Sequence, residues 1–110
     1  MKLKYKEREE THMMRIMFDS EAKTEKDVYR EQRKEGLFNV GYHFIVLPTG
    51  EVKKGIPYLA YADYRFSHVH DSLYVLFVGS KSDSAMTDAQ CKALEYLKDE
   101  LQLEVHFGDD

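Results

Sequence analysis

The stretch LFNVGYHFIVLPTGEVKKG, residues 37–55, decides how the rest of the chain is read. Tyr42 to Leu47 is an apolar run suited to a strand, Pro48-Thr49-Gly50 has turn chemistry, and Glu51 to Lys54 forms a short returning strand. Proline presets φ and glycine accepts the positive φ of a tight turn, so a hairpin is predicted.

Working outward, Met14, Ile16 and Phe18 alternate with Arg15 and Met17, which predicts a strand of about six residues before the hairpin. Between them, Thr24 and Asp27 open a charged helical stretch that Gly36 ends. Its large apolar residues before the glycine are Val28 and Tyr29 alone, so the run Glu21–Glu35 reads as a solvated face or a partner surface. After the hairpin, Ile56 to Ser72 keeps no steady period and reads as a long irregular segment. Ser72 to Gly79, SLYVLFVG, is nearly continuous in apolar residues, the mark of a strand buried on both faces. Thr87-Asp88-Ala89-Gln90 is a capping box, and Cys91, Leu94, Leu97 and Leu101 follow at helical spacing, which places Cys91 in the core as a small apolar residue. Leu103 to Phe107 alternates as a last strand. The order β-α-β-β-loop-β-α-β predicts an α/β (α+β) fold, a mixed central sheet of about five strands with helices packed on it.

Length and composition agree with one domain over residues 1–110. The chain is 43% hydrophobic and 33% charged, with two prolines and six glycines, a globular balance. Its core is expected around Ile16, Phe18, Ile45, Val46, Val75, Leu76, Phe77, Leu94 and Leu97. A net charge of −4 supplies no basic field for nucleic acid or an anionic membrane, so neither partner is expected. The N-terminal MKLKYKEREET carries no apolar targeting segment, and a single cysteine excludes an intrachain disulfide. A cytoplasmic, host-cell location is the expectation.

The sequence resembles the bacteriophage lysozyme-type N-acetylmuramoyl-L-alanine amidases, which share their fold with the peptidoglycan recognition proteins. The residues that carry the likeness are Gly36 to Val46, then Gly50, Val52 and Gly55, then Ser72, Val78-Gly79 and Thr87 to Gln90. The resemblance implies cleavage of the amide between the muramoyl lactyl group and L-alanine by a zinc ion. It implies three ligands: a histidine ending the first strand, a second histidine, and a cysteine or aspartate near the C-terminus, with an open position for water.

Carried onto this chain, the assisting tyrosine is Tyr42. The first-strand histidine falls on Phe18, with Asp19 beside it, and the second falls near His106. The third ligand and an assisting lysine would lie past Asp110. A cleft alanine-histidine pair falls on Asp63 and Tyr64, and a first-helix tryptophan-histidine pair falls on Glu31 and Gln32. Tyr42 is therefore expected as a catalytic remnant, with no metal held and no enzymatic activity. Asp19 and His106, with Asp109 as a third, are a conceivable substitute ligand set, but Asp19 before Ser20 also reads as a turn or cap residue and His106 as a solvent-facing strand residue, and that plainer reading is preferred.

The likeness also places Ile56 to Ser72 along the substrate groove. There Tyr58, Tyr61, Tyr64, Arg65, His68 and His70, with Lys53 from the hairpin, form the expected ligand-binding set. Rings and cations of this kind stack on planar groups and pair with anions, though tyrosines also simply cover irregular segments. Adjacent strand residues face opposite ways, so Tyr42 and His43 are not expected to line one cleft; the resemblance points Tyr42 to the groove, which leaves His43 a hydrogen-bonded structural role.

Three functions compete. The first is a non-catalytic, phage-type protein of this fold that binds, either inhibiting a host protein or sequestering a small anionic ligand such as a nucleotide. The resemblance allows it, because phage lysozymes of this type also bind and inhibit RNA polymerase. The second is a minimal peptidoglycan amidase with a rearranged zinc site. The third is a structural or assembly subunit that reuses the fold.

Overall fold

A computed structural model describes residues 8–19, 41–62 and 65–109. The helix expected from Thr24 to Gly36, with Glu31 and Gln32, lies outside the described residues, as do Asp63 and Tyr64.

Five strands form one mixed sheet: β1 (Met13–Asp19), β2 (Phe44–Val46), β3 (Val52–Lys54), β4 (Ser72–Val78) and β5 (Glu104–Phe107). Their spatial order is β3-β2-β4-β1-β5. β2, β4, β1 and β5 run parallel to their neighbours, and β3 is the antiparallel return of the hairpin. The run SLYVLFV is the middle strand and is buried at every residue. That burial is why it lacks the polar alternation of a one-sided strand. The hairpin strands are shorter than their apolar runs, because pairing stops where the turn and the bend at residues 41–43 take over.

Among the described residues, helix α1 (Asp88–Leu101) covers one face of the sheet. Met14, Ile16, Val46, Leu73, Val75 and Phe77 pack there against Ala93 and Leu97, with Phe18, Leu94 and Leu101 partly buried at the margin. Burying a side chain the size of Leu97 or Phe77 contributes about 1.5–3 kcal/mol. The capping box forms in full: Thr87 Oγ1 accepts from Gln90 N–H at 3.0 Å, and Gln90 Oε1 accepts from Thr87 N–H at 3.1 Å.

The helix is turned away from the expected stripe. Gln90, Ala93 and Leu97 are its buried residues, and Cys91 is exposed, which corrects its assignment to the core. Gln90 takes the inward place because its amide satisfies strand ends: Nε2 donates to Val78 O at 2.9 Å and Val46 O at 3.3 Å, while Oε1 accepts from Ser80 Oγ at 2.8 Å. A thiol one position on can do none of this.

The hairpin turn docks on the start of α1, and two glycines permit it. Gly50 has φ +87°, and a Cβ there would lie 2.8 Å from Ala89 O. Gly79 has φ +81°, and its Cβ would lie 2.8 Å from Pro48 Cγ. Thr87 Oγ1 donates to Pro48 O at 2.7 Å and closes the joint. Among the described residues no helix is long and apolar enough to cross a membrane.

Candidate functional site

The face opposite α1 carries the irregular segment after the hairpin. Ile56, Ala60, Ala62 and Tyr74 form a small core there, with Tyr42, Phe66 and Val69 packed against it. The segment is tied down from beneath by a buried pair, Arg8 and His43, which are 3% and 1% exposed. Arg8 Nε donates to Thr11 Oγ1 at 3.1 Å, Nη1 to Ala60 O at 2.9 Å, and Nη2 to Tyr58 O. Its guanidinium carbon also lies 5.4 Å from the Tyr58 ring centroid, a cation–π arrangement.

The hydrogen bonds of His43 fix its tautomer. Nδ1 accepts from Tyr74 N–H at 3.0 Å, so in the neutral ring Nε2 carries the proton and donates to Ala60 O at 2.6 Å. Arg8 Nη1, 2.7 Å from Nε2, is a second donor converging on the same carbonyl. Burial holds the His43 pKa down, at about 4, and the Arg8 charge adds to the shift, while the Ala60 and Tyr74 backbone contacts oppose it. His43 is thus a neutral structural residue at physiological pH. The alternation that set Tyr42 and His43 on opposite sides does not hold, because β2 begins only at Phe44 and the preceding residues bend. Both residues reach the irregular segment, Tyr42 by packing and His43 through Ala60.

Tyr74 anchors the distal half. Its ring stacks on Phe66 at 4.3 Å and 15°, and Phe66 meets Tyr42 at 5.4 Å and 52°. Its hydroxyl donates to the Asp109 carboxylate and accepts from His68 N–H at 3.1 Å, while Ser67 N–H donates to Asp109 Oδ2 at 2.7 Å. Burial, and then the Asp109 carboxylate, push the Tyr74 phenol well above its ordinary pKa, so it remains a donor.

The sequence-selected residues spread across this frame. Tyr42 is half-buried in the aromatic cluster, Tyr58 is exposed over Arg8, and Tyr61 and His68 are half-buried. Arg65 and His70 are exposed. Lys53 stands on β3 with its ammonium 2.9 Å from Glu51, so a carboxylate already accompanies the charge the hairpin was expected to offer. Tyr64 lies outside the described residues. The residues that organise the segment, Arg8, Phe66 and Asp109, were not singled out for that role in the sequence. Arg8 sits in a charged run with no local sign of burial.

No family model matches the chain. Two curated relatives do: the endolysin of Enterobacteria phage T3, 31% identical over 77 residues, and that of Escherichia phage T7, 29% identical over 105. The aligned regions cover 66% and 87% of this chain, but 51% and 70% of the relatives, so the chain spans about half the length of the T3 protein. Among solved structures, the N-acetylmuramoyl-L-alanine amidase LysC from Clostridium intestinale superposes with a TM-score of 0.73 at 16% identity, over 88% of this chain and 69% of that one. Apis mellifera PGRP-SA superposes at 0.72 and 13% identity, over 97% and 78%. This is the fold of the phage amidases and the peptidoglycan recognition proteins.

The amidase fold raises the question of zinc, and the described donors do not fit it. Among the described residues no group of three His, Cys, Asp or Glu gathers to hold a metal ion. Phe18, which the resemblance set at the first-strand histidine, packs in the core on the α1 side, stacked on Phe107 and tilted against Phe77, on the face opposite Tyr42. The substitute set of Asp19, His106 and Asp109 is corrected by the register. His106 pairs with Arg15, four residues before Asp19, a separation of about 13 Å along the strand. Asp109 meanwhile is held by Tyr74 and Ser67. Nothing in the described chain brings these three together.

Proposed function

We propose that this chain is a non-catalytic, peptidoglycan-directed protein of the amidase fold that acts by binding. The observation that carries the reading is the division of the fold. The groove-side segment is fastened through Arg8, His43 and Tyr74, while the described residues assemble no metal-ligand set. The two phage relatives bear the name endolysin, and the superposed LysC is an N-acetylmuramoyl-L-alanine amidase. A muropeptide is a small ligand with carboxylates, suited to exposed Tyr58, Arg65 and His70.

Anisotropy of a labelled muropeptide tests the proposal. Saturable binding is expected, weakened about tenfold by Arg65→Ala, the loss of roughly 1.4 kcal/mol. Release of peptide from muropeptide by the zinc-supplemented protein would sink the non-catalytic reading. The identity to two endolysins favours that second reading, a minimal amidase, which requires hydrolysis that a chelator abolishes and Tyr42→Phe weakens.

A further inference from the structure

Among the described residues, β3 and β5 are the two terminal strands of the sheet. A sheet edge is a row of main-chain donors and acceptors that can template another strand, and proteins commonly guard it with lysine. β3 is guarded in this way by Lys53 and Lys54. β5 carries no lysine and reads Glu-Val-His-Phe.

The register fixes what β5 presents. Arg15 pairs with His106, and Gly108 N–H donates to Ile16 O at 2.9 Å, so residues 106 and 108 turn their main-chain groups toward β1. These groups alternate along a strand, so Leu103, Val105 and Phe107 turn theirs outward. Side chains alternate as well. Leu103 and Val105 pack with the core on the α1 side, and Phe107, 42% exposed, stacks there on Phe18. Glu104 and His106 therefore face the opposite side.

We propose that β5 is the interface of a two-fold homodimer, paired antiparallel with the β5 of a second copy about an axis at Val105. This register satisfies both alternations at once. Val105 meets the partner's Val105, and Leu103 meets the partner's Phe107, each pair exchanging N–H···O bonds through the outward groups. On the other face Glu104 meets the partner's His106 at the closer, non-hydrogen-bonded spacing, with Cα atoms about 4.5 Å apart. There an imidazole N–H can donate to the carboxylate. The two-fold makes each unlike pair twice, so donor meets acceptor and apolar meets apolar along the whole strand. The same operation on β3 would bring lysine toward lysine, which is unfavourable. Pairing joins two five-stranded sheets into one and covers the exposed Phe107 ring.

Sedimentation velocity of the full chain across protein concentration tests the interface. A reversible dimer is expected, with a dissociation constant of roughly 10–100 μM, as suits a small contact. Glu104→Lys removes the acceptor and His106→Glu sets carboxylate against carboxylate, so each should weaken the dimer about tenfold. Together they restore an opposite-charge pair and should return the affinity to within about threefold of the unaltered chain. Val105→Pro removes an outward N–H, a change that an edge strand tolerates, and should abolish the dimer. A chain that is monomeric at about 1 mM overturns the proposal, even if the edge takes a strand from some other protein. So does a Val105→Pro variant, folded by circular dichroism, that dimerises as tightly as the unaltered chain, or a double variant no tighter than the singles. In the unaltered chain, amide exchange at Val105 and Phe107 should slow as concentration rises. Exchange independent of concentration overturns the proposal even where the variants do not fold. Dimer formation does not depend on muropeptide binding: a dimer without muropeptide affinity counts against the proposed function alone, and a monomer that binds muropeptide counts against the dimer alone.

Discussion

Acid should loosen this protein through one buried imidazole. His43 is 1% exposed, accepts from Tyr74 N–H, donates to Ala60 O and lies against the Arg8 guanidinium. A second proton would break the Tyr74 contact and set a cation beside a cation. The folded pKa is about 4 against an ordinary 6.5. Between these values the unfolded chain takes up a proton that the folded chain refuses, so stability falls as pH falls. It is fully present above about pH 6.5, declines through the interval, and reaches its floor near pH 4. The whole difference is about 3 kcal/mol, at 1.36 kcal/mol per pKa unit, and about 2 kcal/mol is already lost by pH 5. Urea unfolding at pH 7.5 and pH 5 measures it, with His43→Gln as the reference. Glutamine keeps an acceptor for Tyr74 and a donor for Ala60 but does not titrate. The variant should lose about 2 kcal/mol less than the parent between the two pH values. Equal losses, or an NMR titration of His43 with its midpoint near 6.5, would refute the reasoning.

Other consequences can be checked separately. Gln90→Leu removes the donor shared by Val46 O and Val78 O and half of the capping box, and should cost about 3 kcal/mol in chemical denaturation. Arg8→Met leaves Tyr58 O without that donor and Ala60 O with His43 Nε2 alone, so amide exchange in residues 56–62 should quicken before the rest of the sheet responds. Cys91 is exposed, so one thiol should react with an aromatic disulfide reagent in native buffer as fast as in urea; a protected thiol would restore it to the core. Gly50→Ala forces a Cβ against Ala89 O at a positive φ and should lower stability by about 1–3 kcal/mol, seen as a lower melting temperature.

What the chain discloses alone follows from local rules. SLYVLFVG announces a strand buried on both sides, Pro48-Thr49-Gly50 a turn, and Thr87 to Gln90 a helix start, because each depends on neighbours within a few residues. The family-like pattern from Gly36 to Gly55 pointed to the amidase fold for the same reason. The site was less legible, because its parts meet only across the fold. Arg8 reaches residues 52 positions away, Asp109 joins Tyr74 and Ser67, and Gln90 displaces Cys91 because two strand carbonyls need an amide. Whether 106 or 107 stands beside Phe18 depends on the β1–β5 register, which no single strand contains. Sequence determined which segments become strands and helix, since periodicity and turn chemistry act locally. Tertiary structure decided which side chains share a face and which buried groups answer one another, since a hydrogen bond or ring stack needs both partners in place.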